Sequence, residues 1–539
     1  MSVFSNLILV LFFTCYVKSD TPWGDIAQSE LDESLRITPN TNVAKNIILF
    51  LGDGMSISTV TASRILQGRQ KGELGEANYL AFEKFPNSAL IKTYCNDRTT
   101  PDSAATATAF LCGVKTNYHT LGVKDKAVLG NCSSQFGNEV ESILDWFHAD
   151  GRSTGIVSTS RITHATPGAG YAHVADRDWE GDSEMEGVTG GCKDVAYQLI
   201  KENTHIKVSV ITQRVIKKST NQSKQVLFGG GRYYFLKNTT DDPKYGAKNV
   251  DKQRRDGLDL IKEWQKEKRN RNLRASYAWN RQQLLNIDPV NTDVALGLFN
   301  DGHMNFELDR DNSSSGEPSI SEMTQKAVQI LRKNPKGFFL LVEGGRIDSA
   351  HHDNNAKRAL YDTLAFEKAI RGALELVNDK NTLVLVTADH SQPLIIAGYA
   401  SRHNSLFGYV DRVKTKHIPK EGVLWTTLLY GIGPGYDWGN RSNKTMEQLE
   451  SKDYIQAAAS PRDSSTHDGQ DVAIYARGPM SHLFRGVHEQ HYINYVMTYA
   501  SCVGRHKNNC MSESRLTSAG SVNEKSLSLL VVITYMYVF

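Results

Sequence analysis

Ser103 lies within Thr100-Pro-Asp-Ser-Ala-Ala-Thr-Ala-Thr-Ala-Phe-Leu-Cys-Gly113, a run of small residues closed by a glycine. This pattern predicts a short helix with Asp102 as N-cap and Ser103 in the first turn. A hydroxyl there stands among backbone N–H groups at the positive end of a helix dipole, where a phosphate binds. Pro-Asp-Ser alone would only start a helix, and a serine hydroxyl is a weak nucleophile without an activating partner. Candidate partners are Asp53, Glu343, Asp348, His352, Asp389, His390 and His467. Asp348 and His352 are four residues apart, so on a helix they share one face and can grip one ion. Imidazole and carboxylate donors without a thiolate suit zinc in a catalytic site, with oxygen ligands for magnesium nearby. His164 and Thr166 follow a predicted strand, and Arg177 in Ala175-Asp-Arg-Asp-Trp179 offers a bidentate fork to a phosphate.

These side chains need elements to position them. Lys45–Leu51 is an unbroken apolar run of buried-strand length leading into Gly52-Asp-Gly-Met55. Gly337–Gly345 and Thr382–His390 read the same way, the Ser/Thr-containing Ser153–Ser160 also predicts a strand, and each carries its polar candidates at or just beyond its end. Ligands of open α/β sheets bind outside the carboxyl ends of the strands. Gln225–Arg232 predicts another strand with a glycine turn, and no Lys-Ser/Thr follows to make a phosphate loop. Asp471–Arg477 predicts a short strand, Val487–Cys502 a closing helix, and the charged Lys248–Arg274 a solvated helix and loop. Asp20–Ala44 reads as an N-terminal arm with a short helix near Ile26–Leu35, and Gln392–Ala459 as an insertion. Strand and helix patterns alternate throughout, which favours one large α/β unit with insertions over several domains.

The net charge of +3, with both signs interspersed, gives no basic face for nucleic acid. Met1–Ser19 has the apolar core and small-residue end of a secretory signal. Export makes the six remaining cysteines candidates for disulfides that staple loops. Cys502 and Cys510 are close in sequence and are expected to pair. Sequons at Asn131, Asn221, Asn238, Asn312, Asn440 and Asn443 fit a glycosylated surface. At the other end, Thr517–Ser521 supplies small residues, Val522–Lys525 a polar spacer and Leu527–Phe539 an apolar tail. The tail would span only about 20 Å as a helix, short of the ~30 Å hydrocarbon core. This order predicts a glycosylphosphatidylinositol (GPI) attachment signal cut after Ser518.

Five motifs in order carry a resemblance: Gly52-Asp-Gly-Met55, Pro101-Asp-Ser-Ala-Ala-Thr106, Val342-Glu-Gly-Gly-Arg-Ile-Asp348, Thr387-Ala-Asp-His390 and Thr466-His467. The chain resembles the alkaline phosphatases, especially the animal membrane-associated type, from about residue 24 to 510. The resemblance implies hydrolysis of phosphate monoesters of broad structure by a homodimer with a doubly wound α/β fold. It places the catalytic unit at 45–510 with a small crown-like insertion at 391–460, the signal at 1–19, the arm at 20–44 and the anchor signal at 511–539. It also implies one zinc on Asp348, His352 and His467, and a second on Asp53, Asp389, His390 and Ser103. Magnesium would sit on Asp53, Thr166 and Glu343, with His164 in the outer shell and Arg177 clamping phosphate. The implied disulfides are Cys132–Cys192 and Cys502–Cys510, leaving Cys112 free; Cys95 has no counterpart. Ser349 departs from the family, where His or Lys follows the metal-binding aspartate. Lys244 and Asn300 stand in the region where vertebrate members place acidic calcium ligands, so the resemblance does not carry a calcium site over. Sulfatases need a Cys/Ser-x-Pro-x-Arg segment, which neither Ser103 nor Cys112 begins. A catalytically dead binding protein should have lost ligands, and none is missing here.

Overall fold

The computed structural model describes residues 22–202, 225–410, 424–437 and 443–508. Residues 1–39 and 40–539 form two separate units. Within the first, Pro22–Leu35 is a helix with no buried residue. It begins with Pro22, whose fixed φ and missing N–H suit a first helical position, four residues before the start expected from the pattern.

The second unit is built on a ten-stranded sheet. In chain order its strands are β1 (Asn46–Gly52), β2 (Asn87–Lys92), β3 (Ser153–Arg161), β4 (Gln225–Gly230), β5 (Ala275–Ala278) and β6 (Val294–Leu298). There follow β7 (Phe338–Gly344), β8 (Thr382–Ala388), the separate pair β9 (Leu394–Ile396) and β10 (Leu428–Tyr430), then β11 (Val472–Arg477) and β12 (Val487–Glu489). The order across the sheet is β12-β2-β11-β8-β1-β7-β3-β4-β6-β5, and only β11 runs against its neighbours. Strands β1, β7 and β8 are apolar nearly throughout and buried along their length. That is the pattern of parallel strands covered on both faces by helices. Each fully buried Leu, Ile, Val or Phe there contributes about 1.5–3 kcal/mol.

Register decides the site. Leu51 pairs with Glu343, Gly52 with both Gly344 and Ala388, and Ser158 with Glu343. Asp53 and Asp389 therefore leave adjacent strands at the same level, with Glu343 one strand away. Within 394–430, β9 and β10 pair antiparallel over a second apolar cluster including Leu394, Phe407 and Tyr430.

Two expectations need correction. Val487–Cys502 is not one helix: Val487–Glu489 adds a parallel edge strand to β2, and the helix covers Tyr492–Ser501. The edge N–H and C=O groups of β2 require partners, and this segment supplies them. Lys248–Arg274 is not wholly solvated either. Its helix, Leu260–Asn270, buries Leu260, Ile261 and Trp264, and Arg254 is buried against Asp194 with both N···O distances 2.9 Å. A buried guanidinium needs such a bidentate partner, which charge counting along the chain does not reveal.

Candidate active site and metal centre

The Ser103–Cys112 helix forms as expected. Asp102 is its N-cap, and Gly113 closes it in the left-handed conformation at φ 78°. The Asp102 carboxylate accepts from the N–H groups of Ala104 (3.1 Å), Ala105 (3.4 Å) and His119 (2.9 Å). It also pairs with Arg177 Nη1 at 2.9 Å. Burial opposes its ionisation, but Arg177 and these N–H groups outweigh that and hold the carboxyl below its ordinary range. Two first-turn amides, those of Ala104 and Ala105, are thus taken by Asp102. What the cap leaves is the dipole and an Arg177 fixed beside Ser103. Arg177 Nη2 donates to His164 Nε2 at 3.0 Å.

Ser103 is buried, and its Oγ lies 3.2 Å from His390 Nε2. That nitrogen is also 3.2 Å from Asp389 Oδ2 and 3.5 Å from Asp53 Oδ1. Burial, followed by the presence of His352, pushes the His390 pKa down to about 4, so it is a neutral donor at neutral pH. On the Arg346–His352 helix, Asp348 Oδ2 stands 3.1 Å from His352 Nε2, and His467 Nε2 is 3.7 Å from Asp348 Oδ1. The Nδ1–H groups of His352 and His467 donate to the carbonyls of Ser465 (2.5 Å) and Pro101 (2.8 Å). Both Nε2 atoms therefore face inward, 3.2 Å apart.

Three donor clusters meet at this site: Asp348, His352 and His467; Asp53, Asp389 and His390; and Asp53, His164 and Glu343. Within each, one donor atom per residue lies within 4.8 Å of the others. Neither oxygen of buried Asp53 has a hydrogen-bond partner among the described residues, nor do Glu343 Oε1 and Thr166 Oγ1. Ser158 donates to the other oxygen of Glu343. Burial, then repulsion from Asp389, Asp348 and Glu343, pushes the Asp53 carboxyl well above its ordinary range. Burial pushes Glu343 to about 7 and Asp389 to about 6. Three buried carboxylates facing one another cannot all ionise without cations among them. These orphaned oxygens and inward imidazoles fit divalent metal ions. A cleft of about 1040 Å³ opens the site to solvent, with His352, His467, Tyr118, Tyr436 and Arg462 in its walls.

With this geometry in hand, comparison with known proteins decides the family. The family model described as alkaline phosphatase matches residues 44–503. The chain belongs to the alkaline phosphatase family. It is 44% identical to the tissue-nonspecific isozyme of Felis catus over 98% of both chains, and 44% to that of Homo sapiens over 96% of both. The Gadus morhua alkaline phosphatase is 43% identical, over 90% of this chain and 98% of its own. Among solved structures, the fold matches alkaline phosphatases of the Antarctic bacterium TAB5 (TM-score 0.56, 22% identity, 86% of this chain and 100% of that one) and Thermus thermophilus (0.58, 21%, 86% and 92%). As an alkaline phosphatase, the protein is a phosphate-monoester hydrolase with a divalent-metal site.

The structure brings Asp53, Ser103, His164, Arg177, Glu343, Asp348, His352, Asp389, His390 and His467 together beyond the strand ends. It adds His164 to the third cluster, where only an outer-shell place was expected. Ser158, Gln392 and the arginine-anchoring role of Asp102 escaped the sequence reading, since single Ser and Gln residues carry no motif. Cys132 and Cys192 are bonded, their Cα atoms 5.8 Å apart, and Cys95 and Cys112 are free and buried. Cys502 ends the last helix at φ 58°; its expected partner Cys510 lies outside the described residues. Asn131, Asn238, Asn312 and Asn443 are exposed, while Asn221, Asn440 and Ser518 lie outside the described residues. Lys244 Nζ stands 3.8 Å from buried Glu317, to which Asn300 also donates.

Proposed function

We propose that this enzyme cleaves phosphate monoesters through a phosphoserine on Ser103, at a site holding two zinc ions and one magnesium. The observation that carries this reading is the convergence of Ser103 Oγ, the inward His390 Nε2 and the Arg177 fork at one helix N-terminus. Asp348, His352 and His467 hold one zinc; Asp53, Asp389, His390 and Ser103 the other; Asp53, Thr166 and Glu343 the magnesium, with His164 beside it. Bound metals of this kind lower the pKa of a ligated hydroxyl or water and offset charge on phosphoryl oxygens. Ser103 Oγ attacks phosphorus, the bond to the leaving oxygen breaks, and that oxygen departs as the alcohol. Water then attacks the phosphoserine, returning the Ser103 hydroxyl and releasing inorganic phosphate. Arg177, held by Asp102, donates to the phosphoryl oxygens in both steps. The machinery grips the phosphoryl group alone and the cleft is wide, which supports acceptance of many alcohols. A chromogenic phosphate monoester should be hydrolysed rapidly, and the matching diester and sulfate ester at least ~10³-fold more slowly. Equal rates on monoester and diester would overturn the assignment.

The proposal extends to a homodimer, with residues 391–460 as a crown-like insertion, on the outer cell surface. Among the described residues no helix is long and apolar enough to cross a membrane. The signal-like Met1–Ser19 and the order of small residues, spacer and apolar tail at 517–539 support a GPI anchor at Ser518. Phosphatidylinositol-specific phospholipase C should release the activity from intact cells. Activity that stays in the pellet, with Phe539 still present in the mature chain, would rule the anchor out.

A further inference from the structure

Gln392 lies two residues beyond His390 and is buried in the site, 1% exposed, though no metal ligand set includes it. Its Nε2 donates to Asp348 Oδ1 at 2.5 Å. A carboxylate can only accept at neutral pH, so the amide must present its nitrogen there, and the orientation is set by chemistry. The contact joins a loop to a helix. Gln392 follows the strand that delivers Asp389 and His390, whereas Asp348 belongs to the helix that delivers His352.

The surrounding backbone is built around the contact. Ser391 accepts from the N–H of Asp468 at 2.9 Å, beside His467, and Gln392 O accepts from Leu394 N at 2.8 Å. Gly54 leaves the space in which the two side chains meet. A Cβ on Gly54 would lie 2.8 Å from Asp348 Oδ1 and 2.9 Å from Gln392 Cγ, and its φ of +63° already favours glycine. Any side chain at position 54 would drive Gln392 and Asp348 apart.

We propose that Gln392 is a positioning residue for the metal held by Asp348, His352 and His467. Its amide fixes one oxygen of Asp348, so the other is turned toward His352 Nε2, 3.1 Å away. Hydrogen bonds to metal-ligating carboxylates set ligand orientation, and their loss costs roughly 10- to 100-fold in metal retention. The amide is uncharged, so it orients Asp348 without placing a second cation beside the metal. This inference rests on the metal assignment made under the proposed function.

The test uses the full-length enzyme loaded with zinc and magnesium, challenged with a chromogenic zinc chelator. Gln392→Met keeps the length but removes the N–H; Gln392→Asn keeps the amide but withdraws it by one carbon. In both, one zinc per protomer should leave roughly 10- to 100-fold faster than in the wild type, with the second zinc unchanged. A purely structural role for Gln392 would lower the melting temperature without selecting one ion. Zinc release at wild-type rates from a folded variant, or equal acceleration of both ions, overturns the inference. His467→Ala, run in parallel, separates the two readings: if it still retains both zincs, the metal assignment itself fails, whatever Gln392 does.

Discussion

Ser103→Ala should lower turnover by at least ~10³-fold while leaving the fold intact. The loss follows from the reaction itself. Under the proposed mechanism, removing the Oγ that lies 3.2 Å from His390 Nε2 removes the nucleophile of the covalent step, leaving only direct attack of water. The fold should persist because Asp102, not Ser103, caps the helix, and alanine is the better helix former. Ser103 is buried, and among the described residues its hydroxyl meets His390 Nε2 and not a backbone group, so a methyl fits its place at little cost. Far-UV circular dichroism and the melting temperature should match the wild type within a few degrees. Acid quenching during turnover of labelled substrate should trap phosphate on Ser103 in the wild type and nowhere in the variant. Label on another residue, or undiminished turnover, would refute the nucleophile.

The second large effect belongs to His467. Its Nδ1–H is spent on the Pro101 carbonyl, its ring stacks on His390 at 3.5 Å between centroids, and its Nε2 faces His352. Burial, then the neighbouring His390, pushes its pKa down to about 3, so near neutral pH the ring is an uncharged donor. His467→Ala removes one of the three donors proposed for one zinc, and turnover should fall by at least ~10²-fold, with partial recovery in excess zinc. Chelation of the wild type should abolish activity, and zinc with magnesium should restore it. Metal content measured alongside activity decides the matter: a His467→Ala enzyme with wild-type turnover and both zincs would make this a structural histidine.

What the chain determined by itself was local. Apolar runs within 45–51, 337–345 and 382–388 specify strands covered on both faces, and the Ser/Thr-rich 153–160 specifies a further strand. Pro101-Asp-Ser followed by small residues and Gly113 specifies a capped helix, since capping depends on neighbouring backbone groups. Asp348 and His352 share a face by helical period alone. Five motifs in order sufficed for the family. The tertiary structure decided which of these meet. Asp53 and Asp389 stand level because β1 pairs with β8 at Gly52 and Ala388, a register set by packing between segments far apart in the chain. His467 points inward because Pro101, 366 residues away, takes its other nitrogen. Asp102 reads as a helix cap, yet its anchoring of Arg177 depends on a loop 75 residues on. The edge strand at 487–489 and the Gln392–Asp348 bond were equally hidden. Each depends on an unpaired polar group that only the folded neighbour presents, and burial makes leaving such a group unpaired costly.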